Sequence, residues 1–112
     1  MTLKELAEKL QLEVKFGEVY MDREVTGGYT SDLLSDVMAN AQEGNIWITI
    51  QTHQNIVAVA SLLGLSAVVI SGGSKPEAST LEKAVKGEVP ILTTQWPSFV
   101  LSGKLFGLMD RE

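Results

Sequence analysis

The sequence contains no cysteine and a single histidine, His53, among its 112 residues. Without cysteine the chain has no disulfide, no thiolate nucleophile and no sulfur ligand for an iron–sulfur cluster or a cysteine zinc site. A metal site would have to consist mainly of carboxylates. The pair Glu5 and Glu8 lies on an amphipathic helix whose charged face is solvated. We therefore expect neither a metal nor a cofactor.

Long apolar runs and concentrations of basic residues are also missing. Ser, Gly or charged residues interrupt every apolar run before the ~18 residues that cross a bilayer, and the N-terminus lacks the apolar segment of a signal peptide. Nine Lys and Arg stand against fourteen Asp and Glu, for a net charge of −5. Nonspecific binding to the phosphate backbone of nucleic acids requires clustered Lys and Arg side chains. We expect no nucleic-acid partner, no membrane span and a cytoplasmic location.

Apolar residues are plentiful: 45% of the chain is hydrophobic and 21% is charged. A chain of this length and composition buries enough apolar surface to fold around one core without covalent staples. We expect a single domain over residues 1–112.

Hydrophobic spacing predicts the first half of the chain as follows. Thr2 caps a helix that runs to Gln11, and alternation over 12–16 gives an edge strand that ends at Gly17. Residues 18–29 form an irregular connection with room for one short strand. A helix capped by Ser31 or Asp32 runs to Gln42 and ends at Gly44. The β-branched run 46–50 is a central strand.

The second half alternates short apolar runs with helical spacing. A nearly all-apolar helix covers 55–63 and ends at Gly64, a strand covers 67–70, and residues 71–74 form a turn. A helix over 76–86 points Ala78, Leu81 and Val85 inward, with Gly87 beyond it. A strand at 90–92 precedes a last helix that opens at Trp96 or Pro97 and carries Phe99, Val100, Leu101, Leu105 and Phe106. We expect the tail 109–112 to be frayed.

Strand starts near 46, 67 and 89 recur at about 22 residues, each followed by a helix, which is the sequence form of βαβ units. No residue pattern repeats with that length, so a solenoid is not indicated. The predicted fold is α/β, with three α/β/α layers and a mainly parallel sheet of four or five strands.

Three loops that follow the predicted strands are polar and almost uncharged. Parallel strands end at one edge of a sheet, where ligands usually bind. Helix-start amides, hydroxyls and carboxamides at that edge are suited to a phosphate or a carboxylate, although the same residues are also ordinary caps and turns. The candidate ligand-binding residues are Gln51, Thr52, His53, Asn55, Ser71, Gly72, Gly73, Thr93 and Thr94, with Lys75 the nearby cation.

A fourth candidate segment is 25–32, in which Thr26, Gly27 and Gly28 precede a helix. Adjacent glycines let a backbone approach another group closely, so we include these three residues in the candidate site. The alternative is a capped turn.

Catalysis is the less favoured alternative. His53 is the only imidazole and would be the proton shuttle of an acid–base or phosphoryl-transfer enzyme, with Thr52 and Thr94 beside it. The sequence GGSK at 72–75 lacks the spacing of a phosphate loop, and no acid that could hold a metal lies in the three loops. A capping or solvent-facing role is the favoured interpretation of His53.

The runs VTGGYTSDLLSDVMANAQEGNIWITIQTHQNIVAVASLLGLSAVVISGG and VPILTT resemble the DRTGG domain family over about residues 19–102. Related modules accompany CBS domains in regulated pyrophosphatases and resemble the N-terminal domain of HPr kinase. The resemblance implies a regulatory or scaffolding module, without kinase activity because the catalytic phosphate loop belongs to another domain. Thr52-His53 stands where many members have Asp-Arg, and Ser71-Gly72-Gly73 stands where they have Thr-Gly-Gly. This chain therefore lacks the charged Asp-Arg pair at that position.

The favoured hypothesis is a non-catalytic module that forms a homodimer and binds a protein partner or a small anionic ligand, such as a nucleotide, at the carboxyl edge of the sheet. The dimer follows from the all-apolar helix 55–63 and from the pairing common in the resembled family. The genes of stand-alone members of that family often lie near genes for iron-hydrogenase subunits. This resemblance implies a hydrogenase-related partner. A third hypothesis is a structural subunit of a larger complex.

Overall fold

A computed structural model describes residues 1–110 and contains one five-stranded sheet between helices. The strands are β1 (Glu13–Phe16), β2 (Gly27–Thr30), β3 (Asn45–Thr49), β4 (Ala67–Ile70) and β5 (Ile91–Thr93). The helices are α1 (Leu3–Lys9), α2 (Leu34–Asn40), α3 (Asn55–Leu63), α4 (Ala78–Gly87) and α5 (Ser98–Asp110), and a short 3₁₀ helix covers Glu18–Tyr20.

The strand order is β1-β5-β4-β3-β2. β2, β3, β4 and β5 pair in parallel, and β1 pairs antiparallel with β5. The predicted mainly parallel α/β sheet is therefore confirmed, as is the assignment of β1 to an edge. β2 forms the opposite edge.

Helices cover both faces of the sheet and give the expected three layers. Leu3 and Leu6 of α1 and Leu101 and Leu105 of α5 pack on one face. α2, α3 and α4 pack on the other face, around the fully buried Trp47. The Trp47 indole Nε1 donates a hydrogen bond of 2.8 Å to the Ser31 carbonyl. Because β3 and β4 are buried on both faces, they read as continuous apolar runs.

Several predicted helix ends are confirmed by local hydrogen bonds. Thr2 forms a capping box with Glu5, since its hydroxyl accepts from the Glu5 amide and its own amide donates to the Glu5 carboxylate. Gly64 ends α3 in the left-handed conformation, as expected.

The one short strand expected within residues 18–29 is present as β2, although it extends to Thr30 and pairs in parallel with β3. The alternative of a capped turn is therefore wrong. Neither Ser31 nor Asp32 is the N-cap, because α2 begins at Leu34 with Leu33 as its capping residue. Glycines weaken the strand signal in a sequence, which is why this edge strand carries little of the usual alternation.

Gly44 does not end α2. Ala41 is already extended, and Gly44, with φ +83°, lies in the turn that enters β3. The helix stops early because Gln42 and Asn45 build that turn, with the Gln42 amide donating to the Asn45 side chain.

The predicted buried face of α4 was correct only in part. Leu81 is half-buried and packs against the core, but Ala78 and Val85 are exposed. The buried residues of the helix are Thr80 and Ala84. The Thr80 hydroxyl donates to the Thr52 carbonyl at 2.6 Å, which sets the rotation of the helix. Gly87 belongs to α4, and Glu88 is the left-handed residue that ends it.

Residues 109 and 110 of the tail are helical rather than frayed, because α5 continues to Asp110. Residues 111 and 112 lie outside the described part of the chain. Leu101 and Leu105 are buried, but Phe99 and Phe106 are 89% and 69% exposed. Among residues 1–110, no helix is both long and apolar enough to cross a membrane.

Candidate functional site

The three predicted loops meet at the carboxyl edge of the sheet, defined here as the residues that follow β2, β3, β4 and β5. The Ser71 amide donates to the Thr49 carbonyl at 2.9 Å, and the Gly73 amide donates to the Thr94 carbonyl at 3.0 Å. Thr93 itself lies within β5 and is buried. The structure thus brings Gln51, Thr52, Ser71, Gly72, Gly73, Thr93 and Thr94 to one end of the molecule.

The backbone amides of Ser71, Gly72 and Gly73 bind other parts of the protein. Gly72 and Gly73 adopt φ +74° and +80°, a conformation that favours glycine. Their amides donate to the carbonyls of Trp96 and Thr94, and the Trp96 amide donates to the Thr94 hydroxyl. These amides hold the β4 and β5 loops together and do not point free at a ligand.

His53 is exposed and bonds to its own chain. Its Nδ1 accepts a hydrogen bond of 3.1 Å from the Asn55 amide, at the start of α3. The Thr52 hydroxyl lies 3.5 Å from the Glu77 carboxylate, and the Thr52 carbonyl accepts from Thr80. Both residues have local structural partners at the beginnings of helices.

Asp32 is an acidic member of the carboxyl edge that the sequence analysis treated only as a cap. Its carboxylate accepts from the Thr49 hydroxyl and the Ile50 amide, each at 2.9 Å, and its carbonyl accepts from the Gln51 side chain. Asp32 therefore connects the ends of β2 and β3. A carboxylate at this position disfavours a second anion nearby.

Thr26, Gly27 and Gly28 do not join the carboxyl edge. Thr26 lies beside the start of β3, where its hydroxyl donates to the Glu43 carbonyl and accepts from the Asn45 side chain. Gly27 and Gly28 belong to a second site, a groove of about 470 Å³ between β2 and α5. The lining of this β2–α5 groove is Gly27, Gly28, Thr30, Ile48, Ser102, Leu105, Phe106, Met109 and Asp110.

The groove is mainly apolar and is built by a close approach of α5 to β2. A Cβ at Gly28 would lie 2.7 Å from Leu105 Cδ2, so the missing side chain leaves room for the helix. The hydroxyls of Thr30 and Ser102 bond at 2.7 Å across the floor. Phe106 forms an exposed wall, and the volume is within the range of ligand pockets.

The other face of β2 carries a hydrogen-bonded pair. The Tyr29 hydroxyl bonds to both carboxylate oxygens of Asp36 at 2.9 Å. Hydrogen bonds from the hydroxyls of Ser31 and Tyr29 lower the pKa of Asp36, and the bond to Asp36 raises the pKa of Tyr29. Asp36 is therefore held in its charged form.

The sequence analysis missed the groove, although two signals pointed toward it. Phe99 and Phe106 are seven residues apart and so share one face of α5. A helix that buries a single apolar stripe does not require a further pair of aromatic residues on one face. Residues 24–74 contain Glu24, Asp32, Asp36 and Glu43 but no Lys or Arg, so one half of the chain is acidic. Within residues 1–110, no group of three or more His, Asp or Glu is placed to hold a metal.

Comparison with solved structures identifies the fold. The chain is similar to the CBS and DRTGG domains of the regulatory region of Clostridium perfringens pyrophosphatase, complexed with the activator diadenosine tetraphosphate. The TM-score is 0.68 at 21% sequence identity, over 93% of this chain. This chain covers 45% of the length of that one. No protein-family model and no curated protein matches the sequence.

Proposed function

We propose that this chain is a non-catalytic regulatory or scaffolding module that binds a protein partner in the β2–α5 groove. The groove itself carries the proposal, because it joins a mainly apolar lining and an exposed Phe106 to a strand that lies at the edge of the sheet. Exposed apolar surface beside an edge strand is typical of protein interaction sites. The carboxyl edge is less suited, because its polar groups bond to one another.

The fold likeness supports a regulatory role. The similar domains belong to the regulatory region of a pyrophosphatase, and regulatory modules act by binding rather than by chemistry. The enzyme activity of that longer protein is not part of this proposal. A hydrogenase-related partner remains a proposal that rests on the DRTGG resemblance. A cytoplasmic location remains a proposal that rests on the sequence.

A titration with small peptide-like probes tests the groove. N-acetyl-leucine amide and indole should shift the backbone amide resonances of Gly28 and Ser102 in ¹⁵N–¹H NMR spectra. Phe106→Ser should abolish these shifts. Phe99→Ser is the matched control, since Phe99 is exposed on the same helix but does not line the groove. Shifts confined to other surfaces, or equal shifts in both variants, would contradict the proposal.

Nucleotide binding at the carboxyl edge is the second candidate, and one observation favours it: the similar regulatory region was solved with diadenosine tetraphosphate. Gln51 and Thr52 would contact the ligand, and the exposed Lys75 would contact a phosphate, whereas Ser71 is fully buried. At about 100 times its dissociation constant, such a ligand adds about 2.7 kcal/mol of stability. Thermal unfolding with diadenosine tetraphosphate, ATP and phosphate measures this, with Lys75→Ala as the variant and Lys83→Ala as the control. No shift with any of the three rejects this candidate.

The enzyme alternative rests on His53 and predicts that His53→Ala removes an activity while the fold stays intact. We propose instead that His53 acts as a cap, since its Nδ1 accepts from the Asn55 amide. The substitution should then cost about 0.5–2 kcal/mol in urea unfolding, the usual range for a lost helix cap. An unchanged stability would contradict the capping role.

The homodimer stays a proposal, but α3, from which it was expected, is largely covered within one chain. In α3 the residues Ile56, Val57, Val59 and Ala60 are buried, and Leu62 is exposed. Light scattering on the separated protein determines the mass, and a monomer would reject the dimer.

A further inference from the structure

We infer that the open edge of β2 takes up an extended segment of a partner protein in which apolar and basic residues alternate. This inference rests on the proposed function, because it names the chemistry of the segment that the β2–α5 groove would bind. The segment would add a sixth strand beside β2, to the five that the sheet contains. Three features of the structure support it: the free strand edge, the apolar groove on one face, and the Asp36 carboxylate on the other.

The backbone of β2 is open to another strand. Among residues 1–110, β2 pairs with β3 alone, in continuous parallel register from Gly27 to Thr30. The Ser31 amide donates to the Ile48 carbonyl at 3.2 Å. Because backbone groups of successive strand residues point to opposite edges, Tyr29 also faces β3, and Gly28 and Thr30 direct their amides and carbonyls outward.

Edge strands in natural proteins are usually blocked by Lys, Pro or a bulge. β2 reads Gly-Gly-Tyr-Thr and contains none of these. Strand addition at such an edge gains main-chain hydrogen bonds for affinity and uses side-chain pockets for selectivity.

The two faces of β2 differ and define the pattern of the added strand. On the α5 face, Gly28 and Thr30 line the groove, so alternate residues of the segment place apolar side chains beside Phe106. On the opposite face the added strand meets Tyr29 and Asp36, which favours Lys or Arg at the intervening positions.

Charge argues for a basic partner rather than for a second copy of this chain. Asp32, Asp36 and Glu43 form no ion pair within residues 1–110, and residues 24–74 contain no Lys or Arg. Two copies paired through β2 would bring their two Asp36 side chains to the same interface, where like charges repel. A segment with alternating Lys or Arg places the opposite charge there.

A defined probe tests the inference. The probe is an acetylated, amidated heptapeptide in which lysine alternates with valine and leucine, and its binding is measured by fluorescence anisotropy at low salt. A charge-reversed heptapeptide, with glutamate for lysine, should bind at least about tenfold more weakly. A lysine heptapeptide with N-methyl groups on alternate backbone amides should also lose about tenfold, because it cannot donate to the β2 edge.

Substitutions in the protein identify the side chains that contact the lysine heptapeptide. Asp36→Asn should weaken binding of the lysine heptapeptide about three- to tenfold. Asp22→Asn removes the same charge in the connection between β1 and β2 and should have no effect. Phe106→Ser should weaken binding, whereas Phe99→Ser should not.

The outcomes separate the inference from the proposed function. Groove shifts with N-acetyl-leucine amide but no binding of the lysine heptapeptide would overturn the inference and leave the proposed function in place. Equal binding of the two charge types, equal binding after N-methylation, or a dimer paired through β2 would also overturn it. Absence of groove shifts with every probe would overturn the proposed function as well.

Discussion

At the scale of single residues, Asp32 connects the ends of β2 and β3, a contact that the sequence does not predict. The buried Thr49 hydroxyl and the Ile50 amide both donate to its carboxylate. Asp32→Ala leaves the Thr49 hydroxyl without this acceptor and should destabilise the protein by about 1–3 kcal/mol. Asp32→Asn keeps a carbonyl oxygen there and should cost less. Urea unfolding measures both, and a loss no larger than that of the control Asp22→Ala would contradict this role.

The Tyr29–Asp36 pair predicts how stability depends on pH. Hydrogen bonding lowers the pKa of Asp36 below its ordinary 3.8, so the stabilisation is present above that value and is lost as pH falls through the lowered pKa. The pKa of Tyr29 is raised above 10.0, so its stabilisation is present below pH 10.0 and is lost as pH rises through the raised pKa.

A spectroscopic titration checks this pair. In Asp36→Asn the pKa of Tyr29 should fall toward its ordinary value, because the charged acceptor is gone. Tyrosinate absorbance reports the titration, and Tyr29→Phe identifies which of the two transitions belongs to Tyr29. An unchanged Tyr29 transition in Asp36→Asn would contradict the pairing.

At the scale of elements, two glycines give opposite predictions. Gly73 has φ +80°, and a Cβ there would lie 2.8 Å from the Gln95 side chain. Gly73→Ala should therefore destabilise the turn after β4 by about 1–2 kcal/mol. Gly103 lies within α5 with open space around its Cβ position, so Gly103→Ala should stabilise by up to about 1 kcal/mol. Thermal unfolding of the two variants should shift in opposite directions, and a shift of the same sign would contradict the assignment.

The elements that the sequence predicts well are those whose environment is uniform. β3 and β4 are buried on both faces, and a buried β-branched run has one reading. The sequence predicts the position of α4 correctly but does not decide which of its faces is buried. Ala78, Leu81 and Val85 share one face of the helix, and Thr80 and Ala84 share another. The contact between Thr80 and Thr52 that decides between them is long-range. β2 lacked a signal, because half of it is glycine.

At the scale of the whole molecule, parallel pairing explains why the predicted loops meet and why the groove was missed. Strand direction alone places Gln51, Ser71 and Thr94 at one edge. The strand order does not follow from the sequence, and within residues 1–110 it leaves β2 with β3 as its one neighbour. The groove combines β2 with α5, two elements that lie far apart in the chain, so no local pattern describes it.

Charge is also distributed at this scale. The lysines and arginines lie before residue 24 and after residue 74, so the segment that contains β2 and α2 contributes acidic residues and no cation. Binding of the lysine heptapeptide should therefore weaken as salt is raised from about 0.05 to 0.5 M, because exposed charges are screened over a shorter distance. Anisotropy titrations at several salt concentrations measure this, and salt-independent affinity would contradict an electrostatic contribution.

Amide hydrogen exchange at β2 tests the central claim most directly, because it reports the strand edge itself. In the free protein, the outward-facing amides of Gly28 and Thr30 should exchange faster than the amide of Tyr29, which faces β3. With the lysine heptapeptide bound, both should become protected by about tenfold or more, because each gains a hydrogen-bond acceptor. Unchanged exchange at Gly28 and Thr30, with the peptide bound elsewhere on the protein, would contradict the account.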